Sequence, residues 1–270
     1  MEPVNYQAPV YAQSCLSAAW ADIKMAPNYV SRMLVLGLIM CVPILNFVVT
    51  GYLLFWAREV PFGGRTPLPA NMVTGKNFEF GFYGFVLSLV VGIASAVVSG
   101  VLGWVPLIGV LVEIAVMLAV AVALMLMQMR MIMGLNLGDG FNLKDMWDKA
   151  RRNWGQLLVV SIVPELVAAV ILMAVGTVVA LFTTLVIFGS AAPTIGAMSS
   201  VADPSFAQVM SLMGAIAGPM IVCTLIVYVV GCLIVTPAQV LSYRAMGHWV
   251  ARYAPEWTTL PDARLPYQQP

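Results

Sequence analysis

The stretch Phe80 to Gly103, FGFYGFVLSLVVGIASAVVSGVLG, runs through the middle of the chain without a single charged side chain. A helix needs about 20 predominantly apolar residues to cross the hydrocarbon of a bilayer, where the backbone must satisfy its own hydrogen bonds. Working outward, Met33 to Trp56 and Ala207 to Val235 are also free of charge, while Leu107 to Gln128 and Gln156 to Ser190 carry one each, Glu113 and Glu165. Every Lys and Arg lies outside these blocks or at their edges. The pattern is that of a polytopic transmembrane helical bundle, all-α in class.

Composition agrees with that reading. With 61% hydrophobic and 9% charged residues, a water-soluble domain of this length could not cover itself with polar surface, so the apolar surplus must face a lipid bilayer. A net charge of +1 supplies no basic face for a nucleic-acid partner. Cys15, Cys41, Cys223 and Cys232 are scattered and the single His248 is isolated, so no metal or cofactor spacing is present and no cofactor is expected. The first 32 residues lack the charged-then-apolar layout of a removable signal.

The order of segments follows from charge and periodicity. Residues 14–26 and 142–154 form amphipathic interfacial helices, begun by Ser14 and Asn142. Segments 80–103 and 107–133 form one hairpin, and 156–190 with 207–235 a second. A cytoplasmic helix over 237–253 and a tail over 254–270 follow. Segment 33–56 has two readings. Either it crosses once with a kink at Pro43, leaving Lys24 and Arg32 outside, or it is a re-entrant wedge that turns at Cys41-Val42-Pro43 and leaves every basic residue inside. The connections around Trp104 to Pro106 and from Ala191 to Phe206 hold no Lys or Arg. Basic loops and the C-terminus are thus expected to face the cytoplasm, in a cytoplasmic (inner) membrane. Trp20-Ala-Asp-Ile-Lys before Asn28-Tyr29 echoes Trp147-Asp-Lys before Asn153-Trp154, a weak internal repeat of the kind found in duplicated transporters and in plain bundles alike.

Few residues point to chemistry. Glu113 and Glu165 are the intramembrane ionisable groups, and by helical rise they lie about 10 and 15 Å deep from opposite faces. Either the two carboxyls meet at similar level and share a proton or hold a cation, or each is protonated and bonded to a neighbouring carbonyl, or Glu165 sits near the interface because its block exceeds one membrane thickness. Gly84, Ser88, Gly92, Ala96 and Gly100 repeat every fourth residue and make a smooth packing stripe, either within the chain or toward a second copy or another membrane protein. Lys144, Lys149, Arg151 and Arg152 are candidate contacts for anionic lipid headgroups. The alternating Met125, Met127, Met129, Met131 and Met133 do not converge on one helical face, which argues for adaptable packing over a thioether copper site. Arg130 is expected to snorkel at the membrane edge and His248 to be solvated. Gly138-Asp139-Gly140 lacks the lysine and the strand of a phosphate loop.

The strings Ala18-Ala-Trp20-Ala-Asp22-Ile-Lys24, Pro43-Ile-Leu-Asn46-Phe, Gly51-Tyr-Leu-Leu-Phe-Trp-Ala-Arg58 and Pro67-Leu-Pro69 resemble a prokaryotic membrane family, domain of unknown function 4013. The resemblance concentrates in residues 16 to 90 and weakens after Pro69, where Ala70-Asn71-Met72 departs from the pattern. It implies a bacterial or archaeal cytoplasmic membrane and supplies no catalytic residue. The leading expectation is a non-enzymatic interaction or scaffold protein. The alternative is a transporter or channel for protons, cations or an amphiphilic solute or lipid that uses the intramembrane carboxylates; a polar pathway beside them would distinguish the two. An intramembrane hydrolase is the third reading, disfavoured because no aspartate pair, zinc motif or serine with a general base lies in the blocks.

Overall fold

The computed structural model describes residues 13–69, 74–102, 108–199 and 205–259, and among them there is no strand. The helices are α1 (Cys15–Lys24), α2 (Tyr29–Met40), α3 (Pro43–Glu59), α4 (Gly75–Leu102), α5 (Ile108–Gly134), α6 (Leu143–Ala150), α7 (Trp154–Ser199) and α8 (Phe206–Tyr253). Gly75–Val101, Val112–Gly134, Trp154–Gly196 and Phe206–Tyr253 are long and apolar enough to cross a membrane. The chain is an all-α, multi-pass membrane protein.

Local chemistry sets the helix starts. Ser14 Oγ accepts from the Ser17 amide and Asn142 Oδ1 from the Asp145 amide, so both amphipathic helices begin where side-chain oxygens satisfy free N–H groups. Asn153 Oδ1 does the same for Gln156 at the head of α7, and Ser205 with Gln208 forms a capping box on α8. The two similar strings fold alike. Trp20 meets Tyr29 edge-on at 6.1 Å across the α1–α2 junction, and Trp147 meets Trp154 edge-on at 5.3 Å across the α6–α7 junction.

Segment 29–59 turns back on itself. Helix α2 stops at Cys41-Val42, and Pro43, which has no N–H to lose, opens α3. At the turn, the Tyr228 hydroxyl of α8 donates to the Cys41 carbonyl at 3.0 Å. At the other end, α1 and the close of α3 both reach Arg244 of the same helix, through Asp22 and the Trp56 carbonyl. Tyr228 and Arg244 are about 24 Å apart along α8 by helical rise. The hairpin therefore climbs beside α8 and returns to the level at which it started.

Two glycines set how closely α3 and α4 cross. A Cβ on Gly51 would lie 1.8 Å from the Asn77 carbonyl oxygen, and one on Gly81 would lie 1.7 Å from that of Phe47. The crossing is backbone against backbone, which only residues without side chains permit. The expected stripe contributes less. Gly84 packs against Thr50, Leu54 and Gln128, and Ser88 Oγ donates to the Gly84 carbonyl within α4, but Gly92 and Gly100 meet no side chain or neighbouring helix within 4 Å and Ala96 is exposed. Gly176, Gly214 and Gly218 also face open space.

The break expected between 207–235 and 237–253 is absent, because α8 runs through Pro219 and Pro237 as one helix of 48 residues. Just before Pro237, Thr236 Oγ1 donates to the Cys232 carbonyl at 2.7 Å, a side-chain hydrogen bond beside the turn in which proline leaves the Leu233 carbonyl without its backbone donor. The last part of α8 is buried rather than laid out in solvent. Trp249 and Val250 are packed with Trp56, Leu53, Trp257 and Met129 in a core at the base of the molecule, from which apolar shafts of α4, α5, α7 and α8 extend. Those shafts expose residues such as Val97, Phe182, Leu185 and Ile221, the surface that lipid covers.

Candidate functional site

A cavity of about 590 Å³ opens among α3, α4, α5, α7 and α8, just above the packed base. Each of these helices gives it at least one side chain able to hydrogen-bond: Asn46 and Thr50 from α3, Ser88 from α4, Gln128 from α5, Ser161 and Glu165 from α7, Gln239 and Tyr243 from α8. Gly81 and Gly84 form part of the α4 wall, so the close crossing that brings α3 and α4 together also shapes the cavity. Phe47 and Phe85, with ring centroids 5.0 Å apart, give it an aromatic side.

The polar groups differ in how they are satisfied. The Tyr243 hydroxyl donates to Gln128 Oε1 at 2.6 Å, and Gln128 Nε2 donates to the Gly84 carbonyl at 3.4 Å, a relay that ties α8 to α5 and α4. Ser161 is 4% exposed and its Oγ, buried, has no hydrogen-bond partner. Buried hydroxyls rarely go unpaired, since losing water without replacement costs about 1–3 kcal/mol. Glu165 sits one helical turn further along α7 and is the one charged residue in the lining.

The two intramembrane carboxyls do not meet. Glu113 is absent from the lining and lies about 12 Å along α5 from Ala121, the nearest cavity residue on that helix by sequence. Among the described residues no hydrogen bond or ion pair joins it to Glu165. Glu113 lies toward the end of α5 away from the base, whereas the cavity adjoins the base, so no contact supports the shared-proton alternative. Met125 lines the cavity, while Met129, Met131 and Met133 are fully buried in the base as packing residues.

Below the cavity is a buried ionic cluster that local sequence patterns do not reveal. Asp22 of α1 is fully buried and accepts from Arg244 Nε at 2.8 Å, His248 Nε2 at 2.9 Å and Arg65 Nη2 at 2.9 Å. Arg244 is also fully buried; it donates to the Trp56 carbonyl, reaches the Gly64 and Thr66 carbonyls, and lies 4.4 Å from the Trp56 ring centroid. Burial alone would raise the Asp22 pKa, but the His248 hydrogen bond and the charges of Arg244, His248 and Arg65 outweigh it and hold the carboxyl below its ordinary value. With Asp22 ionised, His248 Nε2 must be the donor. The solvated histidine expected from sequence is thus a core residue, 4% exposed, whose carboxylate partner is 226 residues away.

The basic helix α6 is committed in the same manner. Arg130 does not snorkel; it is 6% exposed and pairs with Asp145 at 2.9 Å and Asp139 at 3.7 Å, with Trp257 Nε1 donating to Asp145. Arg152 and Lys149 both pair with Glu256, at 2.7 and 3.3 Å, and Arg151 pairs with Asp148. Of the four cations proposed for anionic lipid, Lys144 alone has no acidic partner among the described residues. No group of three or more potential metal ligands occurs among the described residues.

Neither a family model nor a curated protein nor a solved structure matches this chain.

Proposed function

We propose that the protein is a non-enzymatic membrane protein that binds a small solute within the bilayer and moves it, with the cavity beside Glu165 as the binding site. The observation that carries this reading is a cavity among four helices long and apolar enough to cross a membrane and α3, with a hydrogen-bonding side chain on every wall and a buried Ser161 hydroxyl left without a partner. A bundle whose only task is to hold another protein has no need of a cavity lined by hydrogen-bonding side chains with a hydroxyl left unpaired. Its volume of about 590 Å³ lies in the range of small-molecule sites. We read the hairpin α2–α3 as a re-entrant wedge whose irregular turn is shielded by α8, as backbone at membrane depth requires. The base, where the basic residues gather, is read as cytoplasmic.

Cysteine accessibility tests the reading. In a background with the four native cysteines replaced by serine, Asn46→Cys and Ser88→Cys in the cavity react with a small water-soluble methanethiosulfonate, while Val97→Cys on the lipid-facing shaft does not. Equal inertness of all three would leave no solvated site and end the proposal. Transport is read separately as solute flux in proteoliposomes, where flux equal to that of empty liposomes limits the protein to binding.

The scaffold reading keeps one supporting observation, the outer stripe of Gly92, Ala96 and Gly100 that no side chain or neighbouring helix among the described residues covers. Cross-linking between copies through Gly100→Cys would favour it.

A further inference from the structure

Resting on the cavity as a solute site, we infer that its ligand is a lipophilic organic cation, bound in exchange for the proton of Glu165. The argument begins with charge. No Lys, Arg or His is among the lining residues, and the other titratable group that faces Glu165 is Tyr243 of α8. That hydroxyl already donates to Gln128, while the walls from α3, α4 and α5 present only amides, hydroxyls and apolar groups. An ionised carboxylate left alone at this depth is costly, so the empty cavity holds a protonated carboxyl. A bound cation supplies the missing countercharge. The O–H bond of Glu165 then breaks heterolytically, the proton passes to water, and the carboxylate remains paired with the ligand, so charge in the site is conserved.

The walls choose among cations. A strongly hydrated ion such as sodium would have to exchange its water shell for amides and hydroxyls scattered over five helices beside a single carboxylate, whereas an organic cation with an apolar body also matches the apolar remainder of the lining. Phe47 and Phe85 place two aromatic rings in the lining, which suits a delocalised positive charge, and Leu124 and Met125 add apolar contact for its substituents. The unpartnered Ser161 Oγ, one turn from Glu165, is available to a ligand heteroatom or to a water that accompanies the cation. An anion finds no countercharge in the lining and gains nothing from displacing the Glu165 proton, so it is not bound.

The test uses the whole protein in nanodiscs and tetraphenylphosphonium as the probe, with tetraphenylborate as the anion of nearly the same shape. Expected are saturable tetraphenylphosphonium binding, release of about one proton per cation bound in weakly buffered solution, and affinity that falls as pH is lowered. Glu165→Gln weakens binding at least about tenfold, and Glu113→Gln, outside the cavity, leaves it unchanged. Because Glu165→Gln can perturb folding, Glu165→Asp is the second variant, expected to keep proton release with shifted affinity. Tetraphenylborate binding as tightly as tetraphenylphosphonium, or binding without proton release, overturns the inference. Absence of probe binding while the Asn46→Cys and Ser88→Cys thiols still react also overturns it and leaves the solute site standing, whereas inert thiols remove the site itself.

Discussion

Asp22 and Arg244, separated by 222 positions in sequence, meet at 2.8 Å with both side chains fully buried. This one contact joins the first helix to the last, and through the Trp56 carbonyl it also anchors the close of α3. It thereby fixes both ends of the α2–α3 hairpin against α8 and sets the floor beneath the cavity.

Removing one charge from this pair should therefore destabilise the whole base. Asp22→Asn leaves Arg244 buried without a full countercharge, a change that typically costs about 3–5 kcal/mol. The expected outcome is a large fall in the thermal midpoint of the detergent-solubilised protein, and a double replacement, Asp22→Leu with Arg244→Met, should recover part of it. No recovery would mean that the hydrogen bonds of Arg244 to the Trp56, Gly64 and Thr66 carbonyls, and not its charge partner, dominate.

The same pair sets a pH dependence. A carboxyl whose folded pKa lies below its unfolded value of about 3.9 contributes stability above that value and loses it as pH falls through the folded pKa. The midpoint of thermal unfolding should be insensitive to Asp22 between pH 7 and about 5 and then fall in acid, and the Asp22→Asn protein should lack that component. An identical acid profile in both proteins would assign the acid sensitivity to other carboxyls.

At the α3–α4 crossing, Gly51→Ala or Gly81→Ala drives a methyl group into a carbonyl oxygen less than 2 Å away, so the helices must separate. Overpacking of this kind typically costs about 1–3 kcal/mol, and here it also widens the cavity. Gly92→Ala meets no side chain or neighbouring helix within 4 Å and should be neutral or slightly stabilising through helix propensity. Midpoints of the three variants in one detergent check the ordering, and a loss at Gly92 matching that at Gly81 would place a partner on the outer stripe.

Much of the architecture was legible because hydrophobic length and charge placement are properties of consecutive residues. The block that begins at Phe80 is helical through Leu102, the last described residue before the connection, Gln156 to Ser190 falls within α7, and the caps at Ser14 and Asn142 stand where their side chains suggested. Glu165 was legible as a polar residue at depth, but its neighbours Asn46, Gln128 and Tyr243 come from three other helices. No local spacing links them. The Asp22 cluster was hidden for the same reason, since His248 has no carboxylate at helical spacing and acquires one only through tertiary packing. The continuity of α8 through Pro237 was misread because proline breaks helices in water more readily than in a packed membrane bundle. The close crossing at Gly51 and Gly81 was missed in favour of a longer and more regular stripe, although two glycines suffice when the backbones touch.

Orientation of the hairpin gives a labelling prediction. With α2 and α3 returning to one level, Gln13→Cys and Leu143→Cys should be labelled from the same side of the membrane by an impermeant maleimide, and Ser205→Cys from the other. Labelling of Gln13→Cys together with Ser205→Cys would mean that segment 33–56 crosses once, against the shared anchoring of both its ends at Arg244.

Lipid contact at α6 can be resolved residue by residue. Glu256 is pushed down to about 2, chiefly by its hydrogen bond from Arg152, so it stays ionised at working pH and occupies both Arg152 and Lys149. Arg151 has Asp148 beside it on an exposed face, where such pairs contribute little and exchange readily with other anions. Lys144 is uncommitted, and a free basic residue near an anionic surface contributes about 1 kcal/mol. Lys144→Gln should consequently reduce retention of anionic lipid, read by native mass spectrometry, more than Lys149→Gln does. Glu256→Gln should increase retention, because it releases two cations without adding a negative charge. If Lys149→Gln instead causes the larger loss, the pairing with Glu256 gives way to lipid at the membrane surface, and α6 is a headgroup-binding helix first and a brace for the C-terminal turn second.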